Sequence, residues 1–367
     1  MILDRYFARR FALSFLLIGA VFLSLIMLID LIEQLRRFEG FDLRLGQLIR
    51  LMLLNTPGAV NEILPLLMIL STVVLFVGLA RSSELVVTRA TGRSGIRALL
   101  APLLVALVIG VLAVSTLNPF VAATSNRYEA LSESFRSGGV SAVSLSGEGL
   151  WLRQGGEAGQ SVIHATGYDG DEAAITLLGV TILTYAPEGG PVRRITAKSA
   201  RLDDDAWVLS GVKVWPLVPG INPEATAATH DTLRLPTTLT EERIRDSLGR
   251  STGISIYDLP DTIRQLRQAG FSTTHHEVWL QAELARPLFL ISMVLIGAAF
   301  TMRHTRFGGT GVAVLMSVML GFALYFVRNF AQILGENGQI PVAFAAWAPP
   351  IAAILLGMGL LLHAEDG

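Results

Sequence analysis

The chain has 367 residues, 51% of them hydrophobic and 16% charged, with a mean hydropathy of +0.53 and a net charge of −1. That balance fits an integral membrane protein and leaves no basic footprint for nucleic acid. Cysteine is absent, which excludes a disulfide frame and a thiolate metal site.

Met1–Arg10 carries Arg5, Arg9 and Arg10 around Tyr6 and Phe7, and Phe11–Ile29 is continuously apolar. The run is too long for a signal peptide and ends on Asp30 without a small-residue cleavage site, so it reads as a retained first span. Asp30–Asn55 mixes four acids with four arginines. Pro57–Gly58 reads as a turn, and Val60–Ala80 is the second span, with Glu62 and Pro65 near its start.

Arg81–Arg97 (RSSELVVTRATGRSGIR) follows, short and basic between two apolar runs. Ser82 or Ser83 suits the cap of a small helix, Glu84 suits its positive end, and Gly92 suits its stop. Leu85, Val86 and Ala90 give it an apolar flank. Spacing alone fits both a plain connector and a helix on which a partner pushes.

Ala98–Leu117 is the third span, and Asn118–Pro119 opens a different regime. Val121–Arg136 reads as a polar helix. From Val140 to about Thr238 the pattern turns to strands, centred on 149–153, 161–165, 174–185, 192–200 and 206–218. Their number and turn signals predict a sandwich or jelly roll. Leu239–Ser247 and Leu259–Ala269 read as helices leading back to the membrane. Trp279–Met302, Thr310–Val327 and Ala343–Leu362 are spans four to six, and Arg328–Pro341 reads as a polar turn. The expected organisation is 1–117 for three spans with a coupling helix at 82–91, 118–270 for the β domain with flanking helices, and 271–367 for three more spans.

Met1–Arg10, Arg81–Arg97 and Arg303–Gly309 together hold nine arginines. Positive charge resists translocation, so these stretches and both termini are expected in the cytoplasm and the strand domain in the periplasm. There is no G-x-x-x-x-G-K-[ST] loop, and the chain is not expected to hydrolyse nucleotide. His275–His276–Glu277 lacks a second histidine at helical spacing, so no metal is expected. Glu283 and Arg286, at i and i+3, pair either as an interfacial anchor or as the polar lining of a cavity mouth. Arg36 and Arg37, just past span one, serve either as snorkelling anchors or as phosphate contacts.

Six spans, a strand domain between the third and fourth, and S-E-L-V-V-x-R-A-x-G at Ser83–Gly92 resemble the LptF/LptG permease family. Further support comes from Leu3–Asp4–Arg5–Tyr6, Pro57 and Pro65, Trp151–Arg153, the Ala197–Leu209 stretch and Arg306–Gly311. The opening and Ile256–Gly270 look more like the LptG branch than LptF. The resemblance implies a permease subunit of the lipopolysaccharide export ABC transporter in the bacterial inner membrane, with a periplasmic jelly roll. It implies a sister LptF-like permease, an LptB-like ATPase dimer that binds the ATP, and LptC/LptA-like periplasmic jelly-roll partners. It implies that Ser83, Glu84, Leu85, Val86, Arg89 and Gly92 couple to the ATPase. Headgroup binding falls to Arg36 and Arg37, joined by Arg127 and Arg136, because Asp30 and Gly58 lack the positive charge relatives carry. The competing classes are the sister subunit, an envelope scaffold, and a stand-alone transporter, which the scarcity of charge within the spans disfavours.

Overall fold

The computed structural model describes residues 2–41, 43–84, 87–88, 94–137, 141–146, 149–156, 159–169, 176–186, 190–203, 206–217, 220, 222–237, 253–268, 272–302 and 310–366. It divides into two compact units. The first is Met1–Tyr128, Thr252–Tyr257 and Thr274–Gly367; the second is Glu129–Ser251 and Asp258–Thr273.

Among the described residues of the first unit, six helices are long and apolar enough to cross a bilayer. Helix α1 is Ile2–Arg37 and α2 is Leu45–Arg81. Helix α3, Gly95–Leu112, runs through a π-turn at Ala113–Leu117 into α4, Asn118–Ser137. After the second unit come α6 (Thr274–Thr301), α7 (Thr310–Glu336) and α8 (Val342–Asp366). The core is built from buried faces of α2, α3 and α6, with Phe7 and Phe11 of α1 seated against them. Helix α6 packs against α2, α3, α7 and α8. Small residues let the backbones close in: a Cβ at Gly110 would lie 2.7 Å from the Cα of Pro287, and one at Gly297 2.8 Å from the Cβ of Thr72.

Three sequence expectations are corrected. Pro57 does not mark a turn but sits inside α2, as does Pro65. A packed membrane helix tolerates the missing N–H because neighbouring groups can satisfy the backbone it frees. Thr56, just before the proline, back-bonds to the Met52 carbonyl at 2.8 Å, a contact that accompanies helix bends. Asn118–Pro119 does not interrupt the third span. Pro119 has no N–H for the Ser115 carbonyl four residues earlier, so that carbonyl accepts from the Tyr257 hydroxyl at 3.0 Å. Asn118 Oδ1 accepts from the Ile256 amide at 2.9 Å, and Asn126 donates to the Gly253 carbonyl at 2.7 Å. The strap 253–257 thus lies along the helix that the π-turn prolongs. Lastly, Arg328–Glu336 is not a turn but the end of α7.

Among its described residues the second unit is a seven-stranded antiparallel sheet whose strands pair in chain order. They are β1 Ser141–Ser146, β2 Gly149–Gly156, β3 Gly159–Asp169, β4 Thr176–Tyr185, β5 Pro191–Asp203, β6 Ala206–Pro216 and β7 Ala228–Pro236. Register aligns Leu152, Ile163, Ile182 and Ile195 as one apolar row, and Leu150, Ala165, Val180 and Ala197 as another. Both rows are buried, with Trp207 and Leu209 completing the core. Alternation of side chains across the pleat produces this single inner face. The sheet curls: Thr237, just past β7, donates to Gln154 Oε1 of β2 at 2.6 Å, although five strand steps separate β2 from β7. Helix α5, Leu259–Gln268, adds Leu266 to the same core. The expected helix at 239–247 lies outside the described residues.

Candidate functional site

Among the described residues of the helical unit, the bend after α2 is one of three polar clusters. Ser83 there has φ +60°, a left-handed conformation that turns the chain sharply. One helical turn then starts, with the Val87 amide donating to the Ser83 carbonyl at 3.2 Å and Thr88 Oγ1 to the Glu84 carbonyl at 2.8 Å. Ser82 does not cap that turn: its hydroxyl donates instead to Glu84 Oε1 at 2.8 Å. Leu85, Val86, Arg89 and Gly92 lie outside the described residues.

Glu84 is anchored from α1. Tyr6 Oη donates to Glu84 Oε2 at 2.7 Å, and Arg10 Nη2 stands 3.5 Å from Oε1. The Arg10 guanidinium lies over the Tyr6 ring, 5.1 Å from its centre. Burial alone would push the Glu84 carboxyl up. Hydrogen bonds from Tyr6 and Ser82 and the Arg10 charge outweigh it and hold the group below the usual carboxylate range. A groove of about 310 Å³ runs along the same end of α1, past Tyr6, Arg9, Arg10, Leu13, Ser14 and Leu17.

The second cluster lies at the opposite end of α1. Asp30 is buried, and its Oδ1 accepts from Asn55 Nδ2 of α2 at 2.8 Å and from Gln34 Nε2 at 3.2 Å. Gln34 also meets the Tyr128 hydroxyl of α4, to which Arg37 Nη1 donates at 3.0 Å. Asp30 is therefore a structural tie between α1 and α2. Arg36, Arg37 and Arg127 are exposed. The structure brings Arg37 beside Tyr128, the neighbour of Arg127 in sequence. The side chain of Arg136 lies outside the described residues.

The third cluster joins α2, α6 and α7. Arg286 bonds both Glu283 and Asn61, so the sequence-predicted pair forms and gains a partner from α2. Arg328, buried on α7, stacks over the Phe289 ring at 5.0 Å. Glu283 is buried and one of its oxygens has no hydrogen bond. His275 of the expected non-metal triplet stands 3.4 Å from Glu336.

Sequence reasoning missed Tyr6, Arg10, Asn55 and Tyr128. Tyr6 and Arg10 are one helical turn apart, a spacing that places them on one face. Nothing in sequence ties that face to residue 84, seventy-eight positions away. The outward side of α1 is apolar and bare: none of its most apolar stretch is buried, and α7 is nearly as exposed.

Comparison with known proteins adds the family. Two curated proteins described as lipopolysaccharide export system permease protein LptG are similar to this chain. The one from Haemophilus influenzae is 24% identical, covering 99% of both chains. The one from Escherichia coli K12 is 23% identical, covering 99% of this chain and 98% of its own. The profile described as lipopolysaccharide export system permease LptF/LptG matches residues 5–363, all six spans and the inserted sheet included, so the chain belongs to that family of membrane permeases.

Proposed function

We infer that this chain is the LptG-type permease subunit of a lipopolysaccharide export ABC transporter in the inner membrane. The carrying observation is the family match through every span and the inserted sheet. The LptG name of the similar curated proteins supports the branch. The arginine-rich connections face the cytoplasm, and the sheet faces the periplasm.

Extraction is costly because each methylene moved from an apolar phase to water costs about 0.8 kcal/mol. A lipid with several long acyl chains therefore needs a continuous apolar wall. The bare faces of α1 and α7 provide one, with Leu13, Leu16, Leu17 and Val21 on α1 and Leu315, Met319 and Phe326 on α7. A sister permease of LptF type completes the cavity. Arg36 and Arg37 hold headgroup phosphates at the outer rim, where arginine's planar fork suits phosphate oxygens, with Arg127 and Arg136 nearby in sequence to Tyr128 and the sheet. The energy enters at Ser83–Gly92, docked on an ATPase dimer of LptB type that binds the ATP. Periplasmic proteins with LptC- and LptA-like jelly rolls accept the lipid beyond the sheet.

The test is co-purification with the ATPase followed by lipid release from proteoliposomes. Glu84→Arg is expected to lose both, and unchanged behaviour removes the docking role. Arg36→Glu with Arg37→Glu is expected to abolish lipid stimulation of ATP hydrolysis while leaving the complex intact.

A further inference from the structure

The bend is joined covalently to α2, so a push on it reaches α2 first. A second connection exists in the folded chain. Glu84 is gripped by Tyr6 and Arg10 of α1, and a hydroxyl-to-carboxylate bond of 2.7 Å is of the charge-assisted kind. The seat of the gripping end of α1 is apolar, and so non-directional, which lets it shift without breaking hydrogen bonds. Phe7 and Phe11 are fully buried in the helical core, and the Tyr6 ring packs edge-on against Phe7 with centres 5.8 Å apart. At the other end, Asp30 fastens the same helix to Asn55 of α2. Between these ends α1 is an unbroken helix with no proline. A rod held in this way tilts as one body.

We propose that Tyr6 and Arg10 are positioning residues that make α1 a driven lever of the docking bend, with Asp30–Asn55 as its pivot. This rests on the permease reading above. At 1.5 Å per residue the arm from Tyr6 to Asp30 is about 36 Å and the arm from Asp30 to Arg37 about 10 Å. A sideways displacement of about 4 Å at Glu84 thus moves Arg37 about 1 Å the opposite way. The long arm sweeps the bare apolar face of α1 while the short arm shifts the cations at the rim. Loosening of the headgroup and narrowing of the apolar wall then come from one motion.

The experiment uses the full complex with its ATPase and partner permease in proteoliposomes. It compares wild type with Tyr6→Phe, Arg10→Gln and the double variant. Lipid released per ATP hydrolysed is read alongside the nucleotide-dependent distance between spin labels at Leu16 of α1 and Leu355 of α8, both exposed, α8 being a helix to which neither end of α1 is tied. The expected result is normal co-purification of the ATPase, ATP hydrolysis within twofold of wild type, at least tenfold less lipid per ATP in the double variant, and loss of the distance change. Unchanged release per ATP with the distance change intact overturns the lever. Loss of the ATPase from the complex also overturns it, because Tyr6 and Arg10 would then belong to the docking surface. A wild-type complex that releases no lipid on adding ATP instead sinks the permease reading itself. Tyr6→Phe alone removes one hydroxyl and keeps the ring on Phe7, so it decides the matter should the double variant fail to fold.

Discussion

Asp30 of α1 and Asn55 of α2 share a 2.8 Å hydrogen bond in a site where the second Asp30 oxygen is buried and unbonded. The carboxylate therefore has little to spare. Asn55→Leu removes its closest donor and leaves the acid partly desolvated, an error of about 1–3 kcal/mol. The expected outcome is a fall of several degrees in the thermal midpoint in detergent. Asp30→Asn, which keeps a carbonyl acceptor, is expected to fall less.

Helix crossings at glycine carry a second expectation. Gly110→Val places side-chain atoms against the Pro287 backbone of α6, 2.7 Å from the Cβ position. Overpacking of this kind costs about 1–3 kcal/mol. Gly110→Val is expected to reduce the yield of folded protein in detergent gel filtration. Gly19→Val, on the bare face of α1 with nothing within 4 Å, is expected to leave it unchanged.

The curl of the sheet depends on few polar contacts at its closure. Gln154 accepts from Thr237 at 2.6 Å and donates to the Pro236 carbonyl at 3.4 Å. Gln154→Ala removes both while leaving the apolar rows in place. Hydrogen exchange is expected to speed up in β7 by at least tenfold, with the β3–β5 amides unaffected. Uniform exchange across all strands would show that the contact does not close the sheet.

The hold on Glu84 is pH-dependent, with a definite sign. Its carboxyl lies below the ordinary carboxylate range in the folded chain. The contribution is therefore present above the unfolded-state value and is lost as pH falls through the lowered one. A fluorophore at Val87, an exposed position on the turn, is expected to report constant order from neutral pH down to the ordinary carboxylate range. Mobility is expected to rise only below it, and Glu84→Gln is expected to remove that transition.

The apolar runs were readable because twenty consecutive non-polar residues leave few alternatives to a span. Strands β2 to β6 were readable from β-branched and aromatic alternation. Strand β1, rich in serine, and β7, an edge strand with most residues exposed, carry weaker versions of that signal. Proline misled at 57 and 119, because local propensity gives it a breaking role that a packed membrane helix overrides. The Glu283–Arg286 pair was visible from i, i+3 spacing. Asn61 and Arg328 entered the same cluster from helices that only tertiary packing brings together. Glu84 stood out from its motif, whereas its hold by Tyr6 and Arg10 depends on α1 and α2 lying side by side in opposite directions, a relation no local pattern encodes.

The central place of α6 bears on how the protein is made. Its partners α2 and α3 leave the ribosome long before it. From Leu112 to Thr301 is about 190 residues, on the order of ten to forty seconds of synthesis at usual rates. Until α6 has been made, the close contacts at Gly110 and Thr72 have no partner within this chain. The helical core that α2 and α3 begin is therefore completed only after the whole sheet has been translated.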